Sequence, residues 1–263
     1  AQTTRHRFRA IVTREDMQMI MVDTPGMHKP HDALGEELNT SAIKAMEDVD
    51  VVAFLVDASK PVGTGDEWVA RQVREVRGAR KILVITKADL VSKETAIQQL
   101  EAARALGTWD DEVVLSSKNG FNVEGFVQAV AKWLPEGPKW FPEDMDTDQP
   151  FEVLVAEFIR EKILRSYRDE VPHSIGVVAD QMTYDRKKDM YRIFANVYVE
   201  RDSQKGIIIG KGGEAIKKVG IEARRDLEQM LGCKVFLDMQ VKVKKNWRRD
   251  LNQIRRFGYG EGM

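Results

Sequence analysis

Met19-Ile20-Met21-Val22 runs into Asp23-Thr24-Pro25-Gly26, Lys81-Ile82-Leu83-Val84-Ile85 into Thr86-Lys87-Ala88-Asp89, and Glu112-Val113-Val114-Leu115 into Ser116-Ser117-Lys118. In each case a mainly apolar run of strand length is followed at once by a short polar segment. Further strands are expected near 8–12 and 50–56, and helices near 35–47, 66–77, 92–106 and 122–133. Such alternation predicts a mostly parallel sheet flanked by helices. The three polar segments then lie at the carboxyl ends of strands, where open α/β sheets bind ligands.

The side chains in these segments suit a guanine nucleotide. Asp23 closes its strand with a carboxylate that can hold a magnesium-bound water, and Gly26 leaves a backbone N–H able to approach a γ-phosphate. Asp89 only accepts hydrogen bonds, so it pairs with the N1–H and exocyclic amine that guanine presents and adenine does not. Lys87 has an aliphatic stem to lie along base or ribose while its ammonium reaches a phosphate loop. Backbone N–H groups around Ser117 and Lys118 are placed to meet the base oxygen. Each segment has a plainer reading: a strand-ending turn for residues 23–26, a helix cap for Asp89, a polar loop for Ser116-Ser117. What outweighs these readings is the occurrence of all three in order on strand ends.

A phosphate loop of the form G-x-x-x-x-G-K-[ST] is missing from these 263 residues. The nearest string, Gly206-Ile207-Ile208-Ile209-Gly210-Lys211-Gly212, has the wrong glycine spacing and a glycine where the hydroxyl belongs. The chain opens at Ala1-Gln2-Thr3-Thr4-Arg5, and the expectation is that a first strand, phosphate loop and helix precede it in the complete protein.

With these motifs in hand, the chain resembles the Era family of bacterial small GTPases nearly end to end. Ala1-Gln2-Thr3-Thr4-Arg5-His6-Arg7 looks like its switch I and Asp23-Thr24-Pro25-Gly26-Met27-His28 like its switch II. The resemblance implies GTP and GDP as ligands and Mg2+ as cofactor. It makes Thr3 or Thr4 the threonine that reaches the metal, with Thr4 preferred, and Asp23 a second ligand acting through water. Nucleotide contacts are expected from Asp23, Thr24, Pro25, Gly26, Thr86, Lys87, Asp89, Ser116, Ser117 and Lys118. Two positions depart from common GTPase patterns. Thr86 replaces the asparagine that usually opens the base-recognition motif and braces neighbouring loops. Met27 stands where many regulatory GTPases carry a water-orienting glutamine, so no catalytic residue is assigned and intrinsic hydrolysis is expected to be slow. The resembled family also carries a hydrophobic residue at that place.

A chain of 263 residues exceeds one comfortable core, and 43% hydrophobic with 32% charged residues is a globular balance. The longest apolar run, Val49 to Val56, contains Asp50 and is far shorter than the roughly 20 residues of a spanning helix. Cys233 is the one cysteine, so no internal disulfide can form, which fits a reducing compartment. Its expected role is packing at a helix end. Pro135, Pro138, Pro142 and Pro150 punctuate an aperiodic stretch. The expected organisation is a G domain over 1–134, a Pro-rich linker over 135–150 and a second domain over 151–263.

The second domain is expected to run helix (151–168), two strands (174–184 and 190–200), a glycine turn, two helices, a strand (234–244) and a last helix. Its turn, Ile209-Gly210-Lys211-Gly212-Gly213-Glu214-Ala215-Ile216, carries G-x-x-G between an apolar strand-like run and a helix, the pattern of a KH domain's RNA clamp. The order resembles the type II KH fold. From Ser203 onward fourteen Lys and Arg face seven acids, while the whole chain is −1. A near-neutral total therefore hides a basic end, the footprint of a phosphate-binding surface. Candidate RNA contacts are Ile209, Gly210, Lys211, Gly212, Gly213, Lys217, Lys218, Lys242 and Lys244. Ile207, Ile208, Ile209 and Ile216 are candidate groove walls, and Trp247 is a candidate for base stacking or packing. His28 and His31 are too few for a metal centre.

Together these readings predict an α/β P-loop-type G domain joined to an α+β type II KH domain: a GTP-hydrolysing switch. By resemblance it binds the 3′ end of small-subunit (16S) rRNA, assists maturation of the 30S subunit and associates peripherally with the inner membrane; the single cysteine fits the cytoplasm, and a monomer is expected. The competing reading from another class is a non-enzymatic RNA-binding assembly factor that keeps only the KH function. A GTPase with tandem G domains is disfavoured by the single motif set.

Overall fold

The computed structural model describes residues 4–167, 171 and 174–260. Two compact units divide the chain in the main between Thr147 and Asp148.

In the first unit β1 (Phe8–Thr13) and β2 (Gln18–Asp23) form an antiparallel hairpin, with Phe8 opposite Asp23. Then come α1 (Ala33–Glu47), β3 (Val51–Asp57), α2 (Thr64–Glu75), β4 (Arg80–Thr86), α3 (Lys93–Arg104), β5 (Asp111–Val114) and α4 (Val123–Ala131). Strands β3, β4 and β5 pair in parallel in that order. Ile82 to Ile85 of the central β4 are all buried, the continuous apolar run of a strand covered on both faces. Leu83 and Ile85 join Phe54, Val56, Ala70, Val73 and Ala103 on one side. Ile82 and Val84 meet Val113, Val130 and Met19 on the other. Period-2 alternation along β4 thus sends successive side chains into two cores, and the three strands end together at Asp57, Thr86 and Val114.

The proline-punctuated stretch after α4 forms no helix or strand, yet it is bonded to the hairpin. Gln18 Oε1 accepts from Trp140 N–H (2.7 Å) and Phe141 N–H (2.9 Å), and its Nε2 donates to Phe141 O (2.9 Å). Farther on, Ile11 N–H donates to Asp146 O (2.8 Å) and Thr147 Oγ1 to Arg9 O (2.7 Å). Composition marked the loss of periodicity but not these partners. Backbone groups here are satisfied by the hairpin instead of by a regular element.

The second unit runs α5 (Phe151–Ser166), β6 (Gly176–Asp185), β7 (Met190–Val199), α6 (Asp202–Ile209), α7 (Glu214–Leu231), β8 (Lys234–Val243) and α8 (Leu251–Arg256). Strand β7 is central, antiparallel to β6 and parallel to β8. Ile193, Ala195, Val197 and Val199 of β7 face Val155, Ile159 and Ile163 of α5 and Val219, Ala223 and Leu227 of α7 in one core. The expected α-β-β-α-α-β order holds, with one correction. Residues 207–209, taken as strand-like, are the last turn of α6, so the glycine turn sits between the two helices and not ahead of both. Three consecutive isoleucines carry no period, and tertiary context overrode their β propensity.

After β8 the chain builds a small aromatic cluster. Trp247 is fully buried, donates Nε1–H to Ser174 O (3.0 Å) and lies 5.1 Å from the Phe257 ring, which stacks on Tyr198 at 4.5 Å. Gly176, opposite Tyr198 in register, admits Phe257, because a Cβ there would stand 2.9 Å from that ring. Of the two roles open to Trp247, the structure selects packing over base stacking. Trp247→Ala should lower the unfolding free energy of this unit by about 4 kcal/mol, through lost burial and a cavity, measured by urea unfolding followed by circular dichroism.

Candidate functional site

The hairpin brings the first two segments together. Thr4 Oγ1 donates to Asp23 Oδ2 at 3.0 Å, although nineteen residues separate them. Two hard oxygen donors therefore stand side by side at the end of β2, the donor chemistry that Mg2+ prefers. Thr3 lies outside the described residues. Among the described residues, no group of three or more His, Cys, Asp or Glu is arranged to hold a metal. The expected magnesium ligation therefore rests on these two oxygens completed by phosphate and water.

Thr24 and Pro25 follow Asp23 in an irregular loop, with Pro25 buried and Gly26 exposed. Any Cβ at Gly26 would meet nothing within 4 Å, so its backbone is open to approach. The loop is held by a residue that the sequence reading missed. Asn39, buried on α1, donates Nδ2–H to His28 O (2.7 Å) and accepts His28 N–H at Oδ1 (3.4 Å). Its position eleven residues beyond the loop leaves no local signal. Met27 packs against the core that includes Val56 and Ala58, so its side chain is engaged in the fold.

At the ends of β4 and β5 the base-recognition candidates converge. Asp89 sits in a single 3-10 turn (Ala88–Leu90), and its Oδ1 accepts the Ser116 hydroxyl at 2.6 Å. It is no helix cap: Ser92 caps α3 by accepting from Thr95 N–H. Ser116 is buried, and its N–H donates to Phe121 O (2.9 Å), closing a tight loop in which Ser117 and Lys118 are exposed. Ser116 thus braces Asp89, while Ser117 and Lys118 carry the exposed backbone. Thr86 turns its hydroxyl back to Val56 O (3.1 Å). The Lys87 ammonium bonds to Asp57 Oδ2 at 2.7 Å, a carboxylate at the neighbouring strand end; the phosphate loop that it was expected to reach is not among these residues.

In the second unit the glycine turn is built for close approach. Gly210 has φ 71°, and a Cβ on it would stand 2.6 Å from the Ala215 Cβ and 3.2 Å from the Ala215 N. Gly213, at φ 81° before the eighteen-residue α7, would meet nothing within 4 Å. The first glycine is needed by the protein's own packing, whereas the second leaves open space beside the start of α7, with its own N–H given to Gly210 O (3.2 Å). Lys211, Gly212, Lys217 and Lys218 are exposed around it. Ile209 and Ile216 are half-buried and Ile207 is exposed, but Ile208 is fully buried in the core and is no groove wall. Along β8, Lys242 is exposed between Val241 and Val243, which pack on the core, as the alternation requires; Lys244 is half-buried.

Family comparisons match both halves. A model described as a 50S ribosome-binding GTPase matches residues 1–87, and one described as a KH domain matches residues 170–248. Two solved structures resemble the whole chain. One is Era in complex with MgGDPNP and nucleotides 1506–1542 of 16S ribosomal RNA, with 34% identity, a TM-score of 0.94, and coverage of 99% of this chain and 88% of that one. The other is a single-residue variant of Aquifex aeolicus Era bound to GDP and AlF4−, with 34% identity, a TM-score of 0.93 and the same coverage. The chain belongs to the Era family. As an Era-family GTPase it joins a G domain built on a parallel sheet to a C-terminal KH domain, as the motifs indicated.

The two turn glycines should respond differently to substitution. Gly210→Ala combines steric overlap with left-handed strain and should cost about 3 kcal/mol of stability. Gly213→Ala meets open space and should cost about 1 kcal/mol. Thermal unfolding of the two variants side by side measures the difference.

Proposed function

We propose that this protein is a guanine-nucleotide switch whose KH domain binds the 3′ end of small-subunit rRNA and which assists assembly of the 30S subunit. The carrying observation is the placement of Asp89 at the end of β4. There its carboxylate takes one hydrogen bond from Ser116 and is otherwise exposed. An acceptor-only group in that setting suits the paired N–H donors of guanine and repels the acceptor at N1 of adenine. The RNA target is inferred from the relative that carries 16S rRNA nucleotides 1506–1542 and from the glycine turn with its exposed lysines.

Asp23 and Thr4 would hold the magnesium, which supplies charge neutralisation for the phosphates. Gly26 brings its backbone N–H toward the terminal phosphate, and Asn39 fixes the loop that follows. Loss of that phosphate removes what orders the Thr4 and Gly26 segments, a switch of the order-to-disorder kind. Met27 offers no hydrogen bond to an attacking water, so intrinsic turnover is slow. On the RNA side, the glycine turn lets a polynucleotide backbone come close, and the exposed Lys211, Lys217, Lys218 and Lys242 supply the charge that its phosphates need.

Two measurements test this reading on the full-length protein. With Mg2+ present, GTP should bind at least a hundredfold tighter than ATP, and Asp89→Asn should invert the preference between GTP and XTP, since xanthine presents a carbonyl where guanine has its amine. Equal affinity for GTP and ATP would defeat the assignment of Asp89. Lys211→Ala should weaken binding of an oligonucleotide with the 16S 3′-terminal sequence and reduce the salt slope of log K by roughly 0.7. An unchanged slope would remove Lys211 from the RNA surface.

A further inference from the structure

The end of β3 carries a carboxylate that no motif predicts. Asp57 is the last residue of β3 and stands opposite Thr86 in the parallel register. Its Oδ1 accepts the Ser59 N–H (2.9 Å) and the Ser59 hydroxyl (2.6 Å), and its Oδ2 accepts the Lys87 ammonium at 2.7 Å. Burial works against ionisation here, but the bonds from Lys87 and Ser59 win and hold the carboxyl down at about 2. The group is therefore a fixed anion at any physiological pH.

Lys87 needs such an anchor. Its backbone is left-handed, with φ 58° and ψ 35°. The other non-glycine residues with positive φ among those described are Asn122, Asp189 and Asn246, types that adopt this conformation readily, whereas a lysine does not. Lys87 flanks the 3-10 turn that carries Asp89, so its conformation sets where the Asp89 carboxylate points. The adjacent Thr86 is also tied to β3, through its hydroxyl on Val56 O. In the usual motif an asparagine at this place braces the neighbouring loops. With threonine there, both residues ahead of Ala88 are secured from the end of β3. The Lys87 side chain is 55% exposed and Asp57 22%, so the ion pair contributes little to overall stability. Its effect is on direction.

We propose that Asp57 is a positioning residue for guanine recognition, anchoring Lys87 from β3 so that Asp89 is aimed at the base, in place of the brace that asparagine supplies elsewhere. This rests on the guanine-nucleotide reading given above. The test compares equilibrium binding of ribose-labelled fluorescent GDP and IDP to the full-length wild type, Asp57→Asn, and Asp57→Asn combined with Thr86→Asn, with thermal unfolding of each. Asparagine at 57 keeps an oxygen for Ser59 and loses the charge that holds Lys87. IDP lacks the exocyclic amine, so the GDP-to-IDP affinity ratio reports the aim of Asp89. Asp57→Asn should weaken GDP binding about tenfold and shrink the ratio severalfold. Adding Thr86→Asn should restore most of both, with the unfolding temperature little changed throughout. Retention of GDP affinity and ratio by Asp57→Asn would overturn the proposal. Equal losses for GDP and IDP with a matching fall in unfolding temperature, or a double variant no better than the single, would do the same. A wild type that binds no guanine nucleotide at all would instead remove the functional reading, and the role of Asp57 with it.

Discussion

Burial of β4 on both faces is the constraint on which the first unit depends. Ile82 to Ile85 cannot slide by one residue without exchanging the two cores they fill, so the parallel register with β3 and β5 is set by packing. That register delivers Asp57, Thr86 and Leu115 to one edge, and every polar contact at the candidate base site follows from it. Ser116 reaches Asp89, Thr86 reaches Val56, and Lys87 reaches Asp57 because three strands end at the same level.

The two units present opposite chemistry. At the strand ends of the first, carboxylates and hydroxyls predominate: Asp23, Asp57 and Asp89 each meet a hydroxyl, from Thr4, Ser59 and Ser116. Such edges accept hydrogen bonds and hard cations. Around Gly210 to Gly213 the second unit offers exposed lysines, Lys211, Lys217 and Lys218, which donate to anions. A nucleotide presents both kinds of partner, but the base edge suits the first arrangement and a polynucleotide backbone the second. The charge division of the sequence expresses this difference, since the residues from Ser203 onward are basic and the remainder is acidic.

The hairpin gives the first unit a mechanical feature. One end of β1–β2 holds Thr4 against Asp23, and the strands and turn beyond hold the stretch from Trp140 to Thr147 through Gln18, Ile11 and Arg9. Antiparallel hydrogen bonds join the two ends over six paired positions. A change at the Thr4–Asp23 end is thereby connected, through packed and bonded backbone, to the segment that leads out of the unit. That connection is physical contiguity, which is the material a coupling mechanism requires.

Strand and helix placement was legible because the signals are local: apolar runs of strand length, amphipathic intervals, and glycines where φ must be positive. The motif loops were legible for the same reason, as their residues are contiguous and their chemistry is read from functional groups. Asn39 and Asp57 were not. Each is an ordinary polar residue in an ordinary element, and each acquires its role from a partner eleven or thirty residues away. Ile208 and Trp247 illustrate the converse: as residue types they suit an RNA groove equally well, and only the three-dimensional packing commits both to the interior. Most elements, their order and the chemistry offered at the strand ends could be read along the chain, since these depend on neighbouring residues. Which side chains brace the site, and which are withdrawn into a core, emerged only with folding, because hydrogen bonds and close packing act across distances that the chain order does not record.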